Sequence, residues 1–236
     1  MIQSTILITG ANRGIGLELV RQYLHEGWQV IACCRSPEKA TDLSRLASRT
    51  RGNLHILPLD VRDDSAFSRL SLSLSGEGID ILFNNAGVYG PHAQSEPACA
   101  HTDKQSWQDT FLVNTIAPLQ LVEALKPNLL LGEKKLVALM SSRMGSLSDN
   151  SSGGAYIYRS SKAALNAVGK SLSIDLAEEG IGVALMHPGW VQTDMGGASA
   201  LITTTESVRG IKSVLDDFSL SQSGQFINYN GIVIPW

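Results

Sequence analysis

Short apolar runs alternate with helical patterns along the whole chain. Ile6-Leu7-Ile8-Thr9 has the unbroken apolar character of a buried strand. From Gly14 to Gly27 the positions Ile15, Leu19, Val20 and Leu24 recur at helical spacing and share one face. Val30-Ile31-Ala32-Cys33 predicts a second strand, and a helix through Ala40, Leu43, Leu46 and Ala47 follows it. His55-Ile56-Leu57 predicts a third strand. Phe67, Leu70, Leu72 and Leu74 mark the next helix, and Ile79 to Phe83 a fourth strand. Residues 90–102 are polar and proline-bearing, hence a loop, and a long helix runs from about 105 to 125. Leu136 to Met140 is a fifth strand, followed by a loop over 146–154 rich in Ser, Gly, Asp and Asn. A helix through Tyr158 and Lys162 extends to about 179, and Gly182 to Met186 is a sixth strand. One helical stretch lies within 196–217, and Gln225 to Ile234 has strand character.

Helices between successive strands imply crossovers, so the sheet is parallel and covered on both faces. No repeat or linker interrupts the alternation. The expected fold is α/β: a single Rossmann-type, doubly wound domain over residues 1–236 with about seven strands. Ligands of such a sheet sit at the carboxyl ends of its strands.

Composition narrows the partners. The chain has 236 residues, enough for a substantial core, and a net charge of −3 that gives no reason to expect nucleic acid or an anionic membrane. No apolar run reaches bilayer-spanning length, and Met1 to Thr5 leads into strand-like sequence with no basic leader. The expectation is a cytoplasmic protein without membrane insertion. Cys33, Cys34 and Cys99 form no Cys-x-x-Cys pair, which fits a reducing compartment. Cys33 and Cys34 read as strand residues, with a redox role as the alternative. His25, His55, His92, His101 and His187 have no metal-site spacing, and no metal is predicted.

The candidate chemistry begins at Thr9-Gly10-Ala11-Asn12-Arg13-Gly14-Ile15-Gly16, between the first strand and the first helix. Glycines there permit a tight turn and let a pyrophosphate approach the backbone, while the helix start supplies free N–H groups. A glycine-rich turn without a ligand is the plainer reading. An NAD site usually has an acidic residue after the second strand; here Cys33-Cys34-Arg35 stands in its place. Nothing there repels a 2′-phosphate. Arg35 or Arg13 can grip one, or either can be a solvated arginine. NADP(H) is therefore preferred over NAD(H). Asp60-Val61 follows the third strand; the carboxylate can accept from an adenine amino group with Val61 against the ring, or Asp60 can be a cap or loop residue. In Asn84-Asn85-Ala86-Gly87, Asn84 can bond neighbouring backbone and stiffen the floor of the site, or the four residues form a plain turn.

Tyr158 and Lys162 lie four apart, on one face of a helix, with Ser142 upstream. An ammonium held near a phenol favours the phenolate, lowering its pKa and making it a proton donor and acceptor. Ser141 competes with Ser142, and Tyr156 with Tyr158, but Tyr156 has Ser160 where a lysine would be needed.

Taken in order, these motifs resemble the short-chain dehydrogenase/reductase family, classical branch, over nearly the whole chain. The set is Thr9–Gly16, Asp60, Asn84–Gly87, Asn114, Ser142, Tyr158-x-x-x-Lys162, and Pro188-Gly189 followed by Thr193. Stretches 140–146, 158–166, 188–197 and 231–236 are similar to the C-factor and sniffer-like carbonyl reductases. The resemblance implies hydride transfer between a nicotinamide and a small carbonyl or alcohol. It implies Tyr158 as general acid and base, and Lys162 lowering the tyrosine pKa and bonding the nicotinamide ribose. Ser142 would hold the substrate oxygen, and Asn114 a water relay. Gly10, Asn12, Arg13, Gly14, Ile15, Gly16, Arg35, Asp60, Val61, Asn84, Ala86, Gly87, Pro188, Gly189, Val191 and Thr193 would line the cofactor, with Thr193 and the Val191 N–H at the carboxamide. The family's serine is followed by two residues and a glycine, which selects Ser142 over Ser141. The longer 146–154 segment is expected to bulge outward, and 196–205 falls where the family has its substrate lid. The resemblance also implies a homodimer or homotetramer. A nucleotide-binding signalling or redox-sensing protein of the same fold is the second reading, and a pteridine- or quinone-reducing variant the third.

Overall fold

A computed structural model describes residues 3–50, 52–91 and 103–236. Seven strands form one parallel sheet in the order β3-β2-β1-β4-β5-β6-β7. They are β1 (Thr5–Thr9), β2 (Gln29–Cys34), β3 (Leu54–Pro58), β4 (Ile81–Asn84), β5 (Leu136–Met140), β6 (Gly182–His187) and β7 (Phe226–Asn228). The order reverses between β1 and β4, which opens the ligand crevice beyond the carboxyl ends of those two strands.

Helices cover both faces: α1 (Gly14–His25), α2 (Thr41–Ala47), α3 (Asp64–Ser73), α4 (Lys104–Phe111), α5 (Ala117–Leu131), α6 (Tyr156–Asp175) and α7 (Thr204–Asp216). Alternate strand residues serve the two sides. Leu7, Leu82, Val137 and Leu185 pack against α3, α5 and α6 residues such as Phe67, Leu121 and Leu165. Ile6, Ile81, Ala138 and Met186 pack against α1 and α7 residues such as Leu19, Val208 and Ile211. The expected seven-strand α/β sheet is thus present. Cys33 and Cys34 are buried free thiols in β2, and burial raises both pKa values, which disfavours the reactive thiolate. Cys99, His92 and His101 lie outside the described residues, as does most of the 90–102 loop.

Several expectations need correction. Leu72 is 77% exposed; the buried stripe of α3 is Ala66, Phe67 and Leu70. The long central helix does not stop near 125. After α4 comes a π-helical turn, Leu112–Ile116, and α5 then runs through Pro127 to Leu131. Pro127 and Glu123, whose carbonyl loses its helical partner, are both on the exposed face, so solvent can meet the freed acceptor. The final strand shrinks to Phe226–Asn228; the chain then turns at Gly231 and returns to make an antiparallel bridge from Val233 to Ile227.

Candidate active site

The glycine turn presses against the segment after β4. Gly10 and Gly14 have φ of +63° and +55°, conformations that side chains resist. A Cβ on Gly16 would lie 2.3 Å from the Gly10 carbonyl oxygen, and one on Gly14 would extend toward Thr193 Cγ2 at 3.4 Å. The turn therefore has the bare backbone that a pyrophosphate needs, facing the loop after β6. Thr9 Oγ1 accepts from the Asn85 and Ala86 N–H groups, each at 3.0 Å.

The side chain that locks this floor is Asn85, not Asn84. Asn85 Nδ2 donates to the carbonyls of Thr9 and Gly10, at 2.9 and 3.2 Å. Asn84 ends β4 and its Nδ2 is buried without a partner, an open donor among the described residues at the crevice end of the strand. Asn85→Ala leaves two carbonyls of the turn short of a donor. A loss of about 2 kcal/mol is expected, lowering Tm by roughly 4–8 °C in a calorimetric scan.

Asp60 and Arg35 follow β3 and β2. The Asp60 carboxylate takes a fork from Arg62, with Nε at 3.0 Å and Nη2 at 2.7 Å. This pairing, with the positive charge of Arg35 nearby, holds its carboxyl below the usual range. Asp60 is thus a paired loop residue whose oxygens already have donors, and Val61 packs on the core. Arg13 forms an ion pair with Asp194 in which both side chains are mostly exposed. Such pairs contribute at most about 1 kcal/mol, so Arg13 is readily released to another anion.

At the catalytic end, Ser142, Tyr158, Ile15, Val191 and Thr193 line a common cleft of about 630 Å³, with Pro188 and Gly189 in its wall. Ser141 and Ser142 point apart as neighbouring extended residues must. Ser141 Oγ donates to Asn166 Oδ1 at 2.6 Å, deep in the core. Ser142 stands with Tyr158 in the cleft wall, where it pulls the phenol's pKa down, and its Oγ accepts from the Met144 N–H at 3.2 Å. A short 3-10 turn, Arg143–Gly145, follows; a Cβ on Gly145 would sit 2.8 Å from the Lys162 backbone, so the glycine lets this turn lie on α6. The serine, two residues and a glycine are therefore a packing requirement as well as a motif.

Tyr158 and Lys162 both point inward from α6, 8% and 4% exposed. The expected lowering of the tyrosine pKa is absent. Burial pushes the Tyr158 phenol up to about 12, against a smaller downward pull from the Ser142 hydrogen bond. The lysine does not offset burial because its Nζ donates to the Met140 carbonyl at 2.8 Å and sits 5.8 Å from the tyrosine ring centre. Burial also depresses the Lys162 amine to about 8. Asn114 lies in the π-helical turn, fully buried. Its amide accepts from the Val88 N–H at 2.9 Å and donates to the Val88 carbonyl at 2.8 Å and to Ser161 Oγ at 3.0 Å. Asn114 thereby ties the segment after β4 to α6. Gly87 lies beside it, and a Cβ there would be 3.6 Å from Lys162 Nζ.

Other cleft residues carried no sequence signal. The Tyr89 ring stacks on Tyr158 with centres 4.6 Å apart. His187, next to Pro188, is held neutral by burial and by Arg143, at about 4. The 146–154 segment is exposed throughout 147–153, and from there Asp149, Ser151 and Ser152 reach the cleft. The chain's end draws it in, as Ser146 Oγ donates to the Pro235 carbonyl at 2.6 Å and the Ser148 N–H to Trp236 O at 2.8 Å. The 196–205 segment folds back on the loop after β6, with Gln192 N–H bonded to the Ile202 carbonyl at 2.9 Å. Met195 and Gly196 reach the cleft. No group of three or more His, Cys, Asp or Glu suited to a metal occurs among the described residues. No described helix is long and apolar enough to cross a membrane.

Comparison with known proteins agrees with this geometry. The short chain dehydrogenase family model matches residues 4–201. The chain is 46% identical over 158 residues to the C-signal protein of Myxococcus xanthus, covering 67% of this chain and 93% of that one. The carbonyl reductase Sniffer of D. melanogaster superposes with a TM-score of 0.92 at 36% identity, each chain covered in full. The NADPH-bound carbonyl reductase from chicken fatty liver superposes at 0.90, again at 36% identity over the full length of both. With the family model matching residues 4–201 and relatives of 36–46% identity alongside it, the chain belongs to the short-chain dehydrogenase family.

Proposed function

We propose that this protein is an NADP(H)-dependent carbonyl reductase acting on small carbonyl or alcohol substrates. The observation that carries the reading is the Ser142–Tyr158 pair at the wall of the cleft that reaches the glycine turn. The bare turn, the buried donor of Asn84 and the releasable Arg13 fit a dinucleotide phosphate. Solved relatives of this fold that carry NADPH or NADP, including one from Pseudomonas aeruginosa, favour the phosphorylated cofactor. Nicotinamide supplies the hydride that reaches the carbonyl carbon.

The protein's own part is orientation and proton handling. Ser142 Oγ and the Tyr158 hydroxyl both donate to the carbonyl oxygen as negative charge develops there. Tyr158 then gives up its proton to that oxygen, and Lys162, one turn on, recharges or steadies the phenolate. Tyr89, stacked on Tyr158, limits the ring's freedom and shields it from bulk water. Asn114 keeps the segment after β4 against α6, so that Gly87 and Lys162 stay in register. Arg13 and Arg35 would hold the 2′-phosphate, and Thr193 with the Val191 N–H would hold the carboxamide. A homodimer or homotetramer in the reducing cytoplasm belongs to the same reading. The shallow groove of Trp107, Phe111 and Ile116 on the α4 side is the face available to a second copy.

The test is NADPH oxidation followed by absorbance over a panel of aldehydes, ketones and quinones, with NADH in parallel. Turnover with NADPH supports the reading; tight NADPH binding without turnover on any class favours the sensing protein. Arg35→Ser is expected to lower the NADPH-over-NADH preference in kcat/KM by about tenfold, the worth of one charge-assisted hydrogen bond. An unchanged preference would leave Arg13 alone with the phosphate.

A further inference from the structure

The charges around the cleft do not balance. Arg143 and Arg159 line it, and Asp149 is the one carboxylate among the lining residues. That carboxylate is taken by Arg143, whose Nε approaches it at 3.0 Å. Arg159 has no carboxylate partner among the described residues. Its fork donates only to neutral oxygens: the Gly153 carbonyl at 3.1 Å, Ser152 Oγ at 2.8 Å and the Met144 carbonyl at 3.4 Å. Three of its five N–H groups are thus used for aiming, and two remain.

Its position adds to this imbalance. Arg159 is in the first turn and a half of α6, a helix whose N-cap residue, Ala155, makes no side-chain cap and whose first turn has no acidic residue. A helix start favours negative charge, and here the sequence supplies a cation instead. His187 lies in the same wall with its Nδ1 buried and unbonded among the described residues. It is neutral near pH 7 and so adds no charge of its own to the two guanidiniums. The cleft therefore has a hydroxyl pair at one place, aromatic walls from Tyr89 and Trp190, and an uncompensated guanidinium at its 152–159 side.

We infer that the preferred substrates are carbonyl compounds bearing a carboxylate, which Arg159 binds while Ser142 and Tyr158 engage the carbonyl oxygen. This assignment rests on the reductase reading above. A planar guanidinium held by three hydrogen bonds is already oriented, so little side-chain entropy is lost when the anion arrives. Neutral carbonyls lack the partner and leave the guanidinium as it was.

The experiment compares para-carboxybenzaldehyde with its methyl ester, and a series of oxo alkanoates with theirs, in NADPH turnover and in calorimetric binding to the NADPH-loaded protein. The expected wild-type result is an acid-over-ester ratio of about tenfold to a hundredfold in kcat/KM, from one charge-assisted contact. Arg159→Gln should collapse that ratio toward unity, and Arg159→Lys should keep part of it. If Arg159 only props up the 146–154 segment, acid and ester fall together and the ratio stays, which overturns the assignment. Equal or better handling of the esters by the wild type also overturns it. Binding separates the two readings. Acids that bind through Arg159 without being turned over uphold the anion site while removing the reductase. Esters turned over as well as acids uphold the reductase while removing the anion site.

Discussion

Tyr158→Phe is expected to reduce carbonyl turnover by about a thousandfold or more while NADPH still binds. In the proposed mechanism the phenol is both the proton source and one of two donors to the developing oxyanion, so losing one oxygen atom would remove both contributions. The ring itself stays: its stack on Tyr89 and its burial in α6 do not depend on the hydroxyl. Fluorescence titration with NADPH and initial rates on the best substrate check the two halves. A variant that keeps most of its rate would mean that another acid protonates the product. Survival of a biological effect in the variant would move the function to nucleotide sensing.

The same phenol sets a pH dependence whose sign follows from burial. With the hydroxyl pushed up to about 12, Tyr158 is protonated throughout the neutral range. Reduction needs that protonated form and should be nearly flat between about pH 6 and pH 8, then fall as Lys162 gives up its charge. Alcohol oxidation needs the phenolate and should climb roughly tenfold per pH unit up to about pH 8, where the loss of that charge begins to flatten it. A shift of Lys162 from the Met140 carbonyl toward the phenol lowers the tyrosine value and brings the oxidation limb to lower pH. The pH at which oxidation levels off thus reports where the lysine stands in the working enzyme.

Much of the architecture was legible because a parallel sheet covered on both faces needs unbroken apolar strands. Ile6-Leu7-Ile8 and Leu136–Met140 could be little else. Helix limits were less legible where solvent does the work: Pro127 and Glu123, whose carbonyl the proline orphans, are on the exposed side of α5, and the helix continues past 125. Leu72 carries no mark that separates it from the buried leucines of α3. At the site, strand alternation said only that one of Ser141 and Ser142 faces the cleft, and the family resemblance chose Ser142; the structure adds that the glycine following it must clear Lys162. Asn84 and Asn85 were a harder pair, since the strand ends between them and only the position of Thr9 and Gly10 decides which amide bonds the turn. The direction of the tyrosine shift depended on where Nζ points, and a four-residue spacing does not fix that. Nor does any local pattern bring Ser146 to Pro235, which lie 89 residues apart and meet only through the sheet.

Lys162→Met should separate activity from stability in opposite directions. Turnover is expected to fall by about a hundredfold or more, as the charge that steadies the Tyr158 phenolate is lost. The protein measured without NADPH should nevertheless melt higher near pH 7. The amine is buried and its folded value, about 8, lies below its ordinary 10.5. The unfolded chain therefore binds the extra proton more readily, and below about pH 8 the native state carries a charge that burial opposes. Methionine keeps the length of the stem in the same space and removes the charge. Against this stands the lost bond to the Met140 carbonyl, worth about 1 kcal/mol. The net gain should be about 1–2 kcal/mol, or roughly 2–8 °C in Tm. Wild-type stability should rise relative to the variant as pH climbs from 8 toward 10.5, because the native lysine is then neutral while the unfolded one is still charged. The difference in Tm should accordingly shrink across that window. A variant that melts lower than wild type at neutral pH, with no convergence on raising it, would show that Lys162 holds the fold through Met140 more than its buried charge strains it. On the proposed mechanism, the stability given up to keep this buried cation one turn from Tyr158 is the cost of steadying the phenolate.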